Sequence, residues 1–372
     1  MQERFLKRAL ELAQKGEGLT SPNPCVGAVI VKNGKIIGEG WHKKAGTDHA
    51  EVVAIKSVKT KKALIGAEIY VTLEPCNHYG KTPPCTKAII KSGIKKVFIG
   101  IKDPIHKGGI LELKKHEIVS EVLPNNSKLS KEIRFLDRFF LKFATTGLPY
   151  VIMKAGISLD GKIAAHRGKK GWITSKKARM DAKKERTKCD AVLVGSGTVK
   201  IDNPKLAGPR MRVIIDKKLE LPLSKKVFRD KNVFVATTDL ASPKDKLRFQ
   251  KAQIPFKSFG KTRVNIPLLL KHLAKLQIQS LFIEGGAKVF TSFHNHCDEL
   301  LLYIAPKVIG TKDSVSMFGT QGLNPLSNLK KDEYIDTGYV DGDVKIRFKC
   351  SVDRFLLDSR LININSNIKY GY

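Results

Sequence analysis

The sequence predicts an α/β protein of two domains, and three observations carry the prediction. The chain has 372 residues, more than the roughly 100–200 that one domain commonly holds. Short apolar stretches alternate with segments of helical period through both halves. An amphipathic segment over residues 128–143, ending at Thr146, Gly147, Leu148 and Pro149, interrupts that alternation and sets domains of 1–146 and 147–372. With 42% hydrophobic and 28% charged residues, the composition is that of a folded chain, neither disordered nor collagen-like.

In the first half, Leu6, Leu10 and Ala13 recur at helical spacing, and Gly16 ends that helix before the loop Thr20-Ser21-Pro22-Asn23-Pro24. Strands over 26–31 and 35–41 flank Asn33-Gly34, a pair that tolerates positive φ and predicts a hairpin. A helix over 48–58, a strand over 68–73, a helix over 84–92 stopped by Gly93 and a strand over 96–101 follow, and 111–123 adds a helix and a strand. The second half places strands over 151–157, 191–194, 212–215, 233–236, 281–283 and 300–304, with helices over 175–188 and 268–276. Residues 341–357 are expected to close this sheet with a hairpin, and 362–372 to be a polar tail.

Six unevenly spaced cysteines are too few for a disulfide scaffold, which leaves metal binding or burial and a reducing compartment. Glu3, Arg4, Lys7, Arg8 and Glu11 interrupt the first residues, so no apolar signal core is present, and no later run has the length to span a bilayer. The expected location is the cytoplasm, without a membrane partner. Sixty-eight basic against 35 acidic residues give +33, which favours anionic partners: phosphorylated metabolites, dinucleotides or RNA. Spread over both halves, most of that charge reads as solvated surface.

His49 and Glu51 open a helix, Cys76 lies in a loop after a strand, and Cys85 follows Pro83-Pro84 at a helix start. One imidazole and two thiolates bind Zn²⁺ tetrahedrally and leave the fourth position for water, as a catalytic zinc requires. The helix start favours the Cys85 thiolate. Glu51 is the catalytic proton shuttle in this reading, carrying a proton from water to a ring nitrogen and on to departing ammonia. Residues two apart on a helix diverge, so His49 must stand at the first turn, with Asp48 expected as N-cap. Deaminases usually space their cysteines as Pro-Cys-x-x-Cys; here eight residues intervene.

The segment Leu73 to Cys85, together with Pro22-Asn23-Pro24-Cys25-Val26-Gly27 and Gly38-Glu39-Gly40-Trp41-His42, resembles the deaminase half of the bifunctional riboflavin-biosynthesis deaminase/reductase family. Lys154 to Ala164 and Trp172 to Ser175 resemble its reductase half. The resemblance implies a cytidine-deaminase-like three-layer domain followed by a dihydrofolate-reductase-like domain. It further implies Zn²⁺ and NADPH as cofactors, a phosphorylated pyrimidine substrate, no nucleic-acid partner and a homo-oligomer. Substrate contacts carry over to Asn23, His78, Lys154, Asp160, Lys170, Arg186, Leu206, Arg210 and Glu284. Dinucleotide contacts carry over to Gly156, Trp172, Thr198, Asp202, Gly286, Ala287, Lys288, Val289, Phe290, Thr291 and Ser292. His78 is open between pyrimidine contact and hydrogen-bonding support, and Cys25 and His42 read as structural.

Two departures stand out: the family has a longer segment beginning Asp-Pro-Asn where this chain has Asp103 to Gly109, and Lys170 replaces its usual Ser. From the residues alone, Leu281 to Lys288 is a strand entering a helix through Glu284-Gly285-Gly286, and free amides there can hold a phosphate. No Gly-x-Gly-x-x-Gly follows a strand, which argues against a Rossmann cofactor site. Arg186 and Arg210, placed at the substrate by the resemblance, suit a fork for a ribose 5-phosphate; from the sequence alone Arg186 reads as a solvated residue on a Lys-rich helix. The reading is a two-step enzyme: zinc-dependent deamination of a diamino-oxo-pyrimidine bearing a phosphoribosylamino group, then reduction of its ribose to ribitol. A tRNA or other nucleic-acid deaminase with an accessory C-terminal domain is the rival, because it shares the zinc chemistry and a basic surface.

Overall fold

The computed structural model describes residues 2–80, 82–105, 108–169, 171–318 and 334–350. Lys170 and the expected C-terminal tail lie outside the described residues. The chain divides into two compact units that part between Gly147 and Leu148.

The first unit runs α1 (Glu3–Gln14), β1 (Gly27–Lys32), β2 (Lys35–Trp41), α2 (Ala50–Ser57), β3 (Glu68–Leu73), α3 (Cys85–Ser92), β4 (Lys96–Ile101), α4 (Gly109–Lys115), β5 (Val119–Val122), α5 (Lys128–Leu136) and α6 (Arg138–Thr146). Its sheet has the order β2-β1-β3-β4-β5. β1 is antiparallel to β2 and β3, and β3, β4 and β5 are parallel. Asn33 (φ 50°) and Gly34 (φ 73°) turn the first hairpin, in the left-handed region that these two residues tolerate.

Alternation along the strands assigns the two faces. A β-carbon on Gly27 of β1 would stand 2.0 Å from the Ala9 carbonyl oxygen of α1. Gly40 of β2 pairs with Ala28, the next residue, and its β-carbon would stand 2.4 Å from the Ala54 nitrogen of α2. Helix α1 therefore covers one face and α2 the other. On the α1 face Tyr70 stacks on Phe98 at 4.5 Å between ring centres, and α5 lays Ile133 against Gly100. The expected connector over 128–143 is two helices, because a buried Asp137 with φ −92° and ψ 13° breaks it. Its apolar period nevertheless continues through the break, with Leu129, Ile133, Leu136, Phe140 and Phe143 all buried.

The second unit runs β6 (Tyr150–Ser158), β7 (Lys162–Ala164), α7 (Lys176–Thr187), β8 (Ala191–Gly195), α8 (Ser196–Asp202), β9 (Met211–Ile215), β10 (Val233–Thr237), α9 (Pro243–Lys251), β11 (Phe256–Ser258), α10 (Ile266–Lys275), β12 (Ser280–Ile283), α11 (Ala287–Phe293), β13 (Glu299–Ala305), β14 (Val315–Ser316), β15 (Tyr334–Val340) and β16 (Asp343–Lys349). Nine strands form a sheet of order β11-β10-β9-β8-β12-β6-β13-β16-β15, and β14 pairs β7. From β11 to β13 the neighbours are parallel, and β16 and β15 complete the edge antiparallel.

One face packs Val151, Met153 and Leu193 against Leu269 of α10 and Phe290 and Phe293 of α11. The other packs Val192, Val194 and Ile214 against Val199 of α8 and Phe249 of α9. The C-terminal hairpin starts earlier than the sequence suggests: Asp341 (φ 54°) and Gly342 (φ 85°) are its turn rather than its beginning. Because β12 enters between β8 and β6, the chain reverses its direction of winding there, and open parallel sheets bind ligands at such a point, beyond the C-terminal ends of the strands.

Candidate active sites

The ligand set assembles in the first unit around the start of α2. His49, not Asp48, is the N-cap, with φ −73° and ψ 162°. Asp48 instead pairs its carboxylate with Lys56 at 2.6 Å and gives its carbonyl to His42. Extended backbone at His49 turns its side chain away from the helical course, so that His49 and Glu51 converge on one pocket despite standing two residues apart. Cys76 follows β3, and Cys85 is the first residue of α3. His49 Nδ1 lies 3.2 Å from Cys85 Sγ and 3.5 Å from Cys76 Sγ. All three donor atoms lie within 4.8 Å of one another.

The chemistry of this donor set fits zinc. Cys85 N–H donates to Cys76 Sγ at 3.3 Å, and Thr82 Oγ1 is 3.3 Å from His49 Nε2, holding the ring so that Nδ1 faces the sulfurs. The hydrogen bond from the Cys85 thiol, with His49 beside it, holds the Cys76 thiol down at about 4. Burial, and then the Cys76 sulfur, pushes the Glu51 carboxyl up to about 7.

Asn23, His42, Glu74, His78, Asp103 and Phe140 line the same pocket. Glu74 was not singled out by the sequence. Its buried carboxylate accepts the Asp103 and Ile110 N–H groups at 3.3 and 3.1 Å. It thereby ties the short 103–109 segment to the metal loop. Gly109 completes that fit, since a β-carbon there would stand 2.1 Å from the Pro75 carbonyl oxygen. Asp137 was also missed; it accepts the Cys25 N–H at 2.6 Å and so anchors the loop that carries Asn23.

In the second unit, Lys154, Arg186 and Glu284 are brought together. Arg186 Nη1 donates to Glu284 at 2.8 Å and Nη2 to the Ala207 carbonyl at 2.9 Å, beside Leu206. Arg186 Nε is buried without a partner among the described residues. Burial lowers the Lys154 ammonium, which lies 5.7 Å from the Tyr303 ring centre. The expected Arg186–Arg210 fork is not assembled. Arg210 donates at 2.6 Å to the carbonyl of Gln277, which precedes β12, whereas Arg186 is engaged by Glu284, which follows β12, and by Ala207. Asp160 accepts from Ser158 Oγ at 2.6 Å and from the Gly310 and Ile309 amides at 3.0 and 3.1 Å. These bonds hold its carboxyl down at about 2 and join two loops.

Gly156 lies in β6 near its C-terminal end, Thr198 and Asp202 lie on α8, which follows β8 directly, and the 286–292 segment runs from the N-cap of α11 into that helix after β12. Val289 and Phe290 are buried; Val289 fills the space left by Gly195 and Gly285, where β-carbons would come within 2.9 and 2.6 Å of it. Thr291 and Ser292 give their hydroxyls to the Ala287 and Lys288 carbonyls. Trp172 is exposed, with the Arg179 guanidinium 4.4 Å from its ring. Ala287 and Lys288 open α11.

A His-Cys-Cys donor set with a buried carboxyl beside it, on a five-stranded sheet, defines a zinc-dependent hydrolytic deaminase, here joined to a second α/β unit with a largely parallel sheet. Residues 1–101 match the cytidine and deoxycytidylate deaminase zinc-binding region, and residues 149–340 match the RibD C-terminal domain. The riboflavin biosynthesis protein RibD of Bacillus amyloliquefaciens is 40% identical over 93% of this chain and 95% of its own. That of Escherichia coli is 34% identical over 92% and 97%. Among solved structures, Acinetobacter baumannii RibD superposes with a TM-score of 0.82 at 32% identity over 94% of this chain and 98% of that one. A diaminohydroxyphosphoribosylaminopyrimidine deaminase/5-amino-6-(5-phosphoribosylamino)uracil reductase of Thermotoga maritima gives 0.80 at 37% identity, with the same coverage. The chain belongs to the RibD family of bifunctional deaminase/reductases of riboflavin biosynthesis. No described helix is long and apolar enough to cross a membrane.

Proposed function

We propose that the first unit deaminates 2,5-diamino-6-(5-phosphoribosylamino)pyrimidin-4-one at a zinc ion held by His49, Cys76 and Cys85, and that the second reduces the ribosyl side chain of the product to ribityl with NADPH. The observation that carries this is the convergence of three zinc donors within 4.8 Å of one another on the pocket lined by Glu51. When bound, zinc lowers the pKa of a water molecule enough to make it a nucleophile near neutrality. Glu51, a buried carboxyl on the same pocket as His49 and Cys76, is placed to take and to give a proton there. It would accept one proton of the water as the oxygen bonds to the ring carbon and deliver that proton to the ring nitrogen; it would then move the proton of the new hydroxyl to the amine, so that the carbon–nitrogen bond breaks, the carbonyl forms and ammonia leaves.

In the second unit Lys154, Arg186 and Glu284 take the substrate, and the buried Arg186 Nε is a donor available to it. NADPH, when bound, supplies the hydride. Gly156 of β6, Thr198 and Asp202 of α8, and residues 286–292 hold it, and backbone can approach the dinucleotide at Gly197 and Gly286, which have open space at their missing β-carbons. A phosphorylated substrate agrees with the excess of basic residues.

Mass spectrometry after incubation with the pyrimidine tests both halves. Without NADPH the expected product has the amino group replaced by oxygen; with NADPH it also gains two hydrogens. Faster ammonia release from tRNA than from the pyrimidine would overturn the assignment. Glu51→Gln is expected to lower deamination by about 10²–10⁴-fold with zinc content retained, and undiminished turnover would remove the shuttle role.

A further inference from the structure

Asn23 can offer a substrate either the oxygen or the nitrogen of its amide, and His42 decides which. His42 is only 2% exposed and lines the pocket. Its Nδ1 is 3.1 Å from the Asp48 carbonyl oxygen, and its Nε2 is 3.1 Å from Asn23 Nδ2. A carbonyl oxygen only accepts, so Nδ1 carries the proton. A buried ring with one carbonyl and one amide for partners holds a single proton, which leaves a lone pair on Nε2. That lone pair takes a donor, and the Asn23 NH₂ group is the donor within reach. The Asn23 oxygen then faces away from His42, in a pocket that both residues line with His49, Glu51 and Cys76.

We propose that His42 is a positioning residue that fixes Asn23 as a hydrogen-bond acceptor, so that the deaminase pocket selects aminopyrimidines by an N–H donor on the ring edge next to the departing amine. The chain of bonds runs from the Asp48 backbone, one residue before the ligand His49, through the His42 ring to the Asn23 amide. It registers the substrate-binding loop directly against the start of α2. An edge that presents only acceptors leaves the Asn23 oxygen facing another lone pair, which discriminates strongly in a buried site.

Nitrogen-15 NMR of the histidine side chains in the zinc-loaded full chain tests this without any variant in the measured state, the His42 signal being identified by its loss in His42→Phe. The expected result is a neutral ring protonated on Nδ1. A ring protonated on Nε2, or on both nitrogens, would overturn the proposal. A double-mutant cycle supplies the second readout. Asn23→Ala and His42→Phe are each expected to raise KM for the aminopyrimidine about tenfold with kcat changed less than about threefold, and the double variant to raise it no further. Additive effects, or an unchanged KM in His42→Phe, would refute the positioning role; zinc content and the reductase rate establish that each variant is folded. The inference rests on the deaminase reading, and the two fail differently. A wild-type chain that releases no ammonia removes the reading, whereas an active chain with the other His42 tautomer removes this proposal alone.

Discussion

Asp137 is a carboxyl with no aqueous contact and a single hydrogen-bond donor, the Cys25 amide on its Oδ1, while its Oδ2 has no partner among the described residues. Burial pushes it up to about 8. In the unfolded chain the same group titrates near about 3.9, so the folded protein keeps a proton that the unfolded protein releases. Its contribution to stability is therefore complete below about pH 4 and is lost as pH rises toward about 8. Asp137→Asn keeps an acceptor for Cys25 N–H and removes the titration. Thermal unfolding across that range should show the wild-type first unit weakening and the variant level, with the variant ahead by several kcal/mol at the alkaline end; a level wild type would contradict the account. Residues of this kind escape a sequence reading for a physical reason. His49, Cys76 and Cys85 declare themselves because only a few side chains bind zinc, and Glu51 stands two positions from one of them. Asp137 acts through a partner 112 positions away, and Glu74 through amides 29 and 36 positions away, separations that no local pattern encodes.

At the scale of elements, the sheet and its helices meet by backbone contact at glycines on both faces, Gly27 against α1 and Gly38 and Gly40 against α2. Gly27→Ala would drive a β-carbon into the α1 backbone at Ala9, and Gly40→Ala would drive one into α2 at Ala50 and Ala54. Neither obstacle is a side chain that can rotate, so each helix must shift, at a cost of roughly 1–3 kcal/mol. The two substitutions should nevertheless part in function. Helix α1 carries no zinc donor, whereas α2 begins at His49. Gly27→Ala is expected to lower the melting temperature and leave zinc content and deamination per folded chain intact; Gly40→Ala is expected to lower all three. Equal deamination in the two variants would show that α2 does not transmit its position to His49. Element boundaries were legible where the signal was local: β3 and β4 and the Asn33-Gly34 turn follow from apolar runs and a dipeptide. The break between α5 and α6 was not, because the apolar period runs through it and only the burial of Asp137 interrupts the helix.

Across the whole molecule, the division near residue 147 was legible because a change of pattern and a Gly-Leu-Pro sequence coincide there. The order β8-β12-β6 was not, since it depends on a strand returning between two earlier ones after more than half of the second unit has been made. Each unit completes its own core: one cluster runs from Phe5 to Phe140, and two others are built wholly from residues after Val151 and Val192. The zinc donors belong to the first unit and Lys154, Arg186 and Glu284 to the second, so the two half-reactions draw on separate chemistry. Removing zinc with dipicolinate under a reducing agent should therefore lower ammonia release by at least about 100-fold and leave oxidation of NADPH by the already deaminated intermediate unchanged, with zinc repletion restoring deamination. Arg186→Met should do the converse. It leaves the Glu284 carboxylate without its cation and should abolish reduction while ammonia release continues, since no zinc donor touches it. If chelation stopped NADPH oxidation as well, with the second unit still folded by circular dichroism, the reductase site would depend on the metal half, and the separation inferred from the two sets of cores would be false.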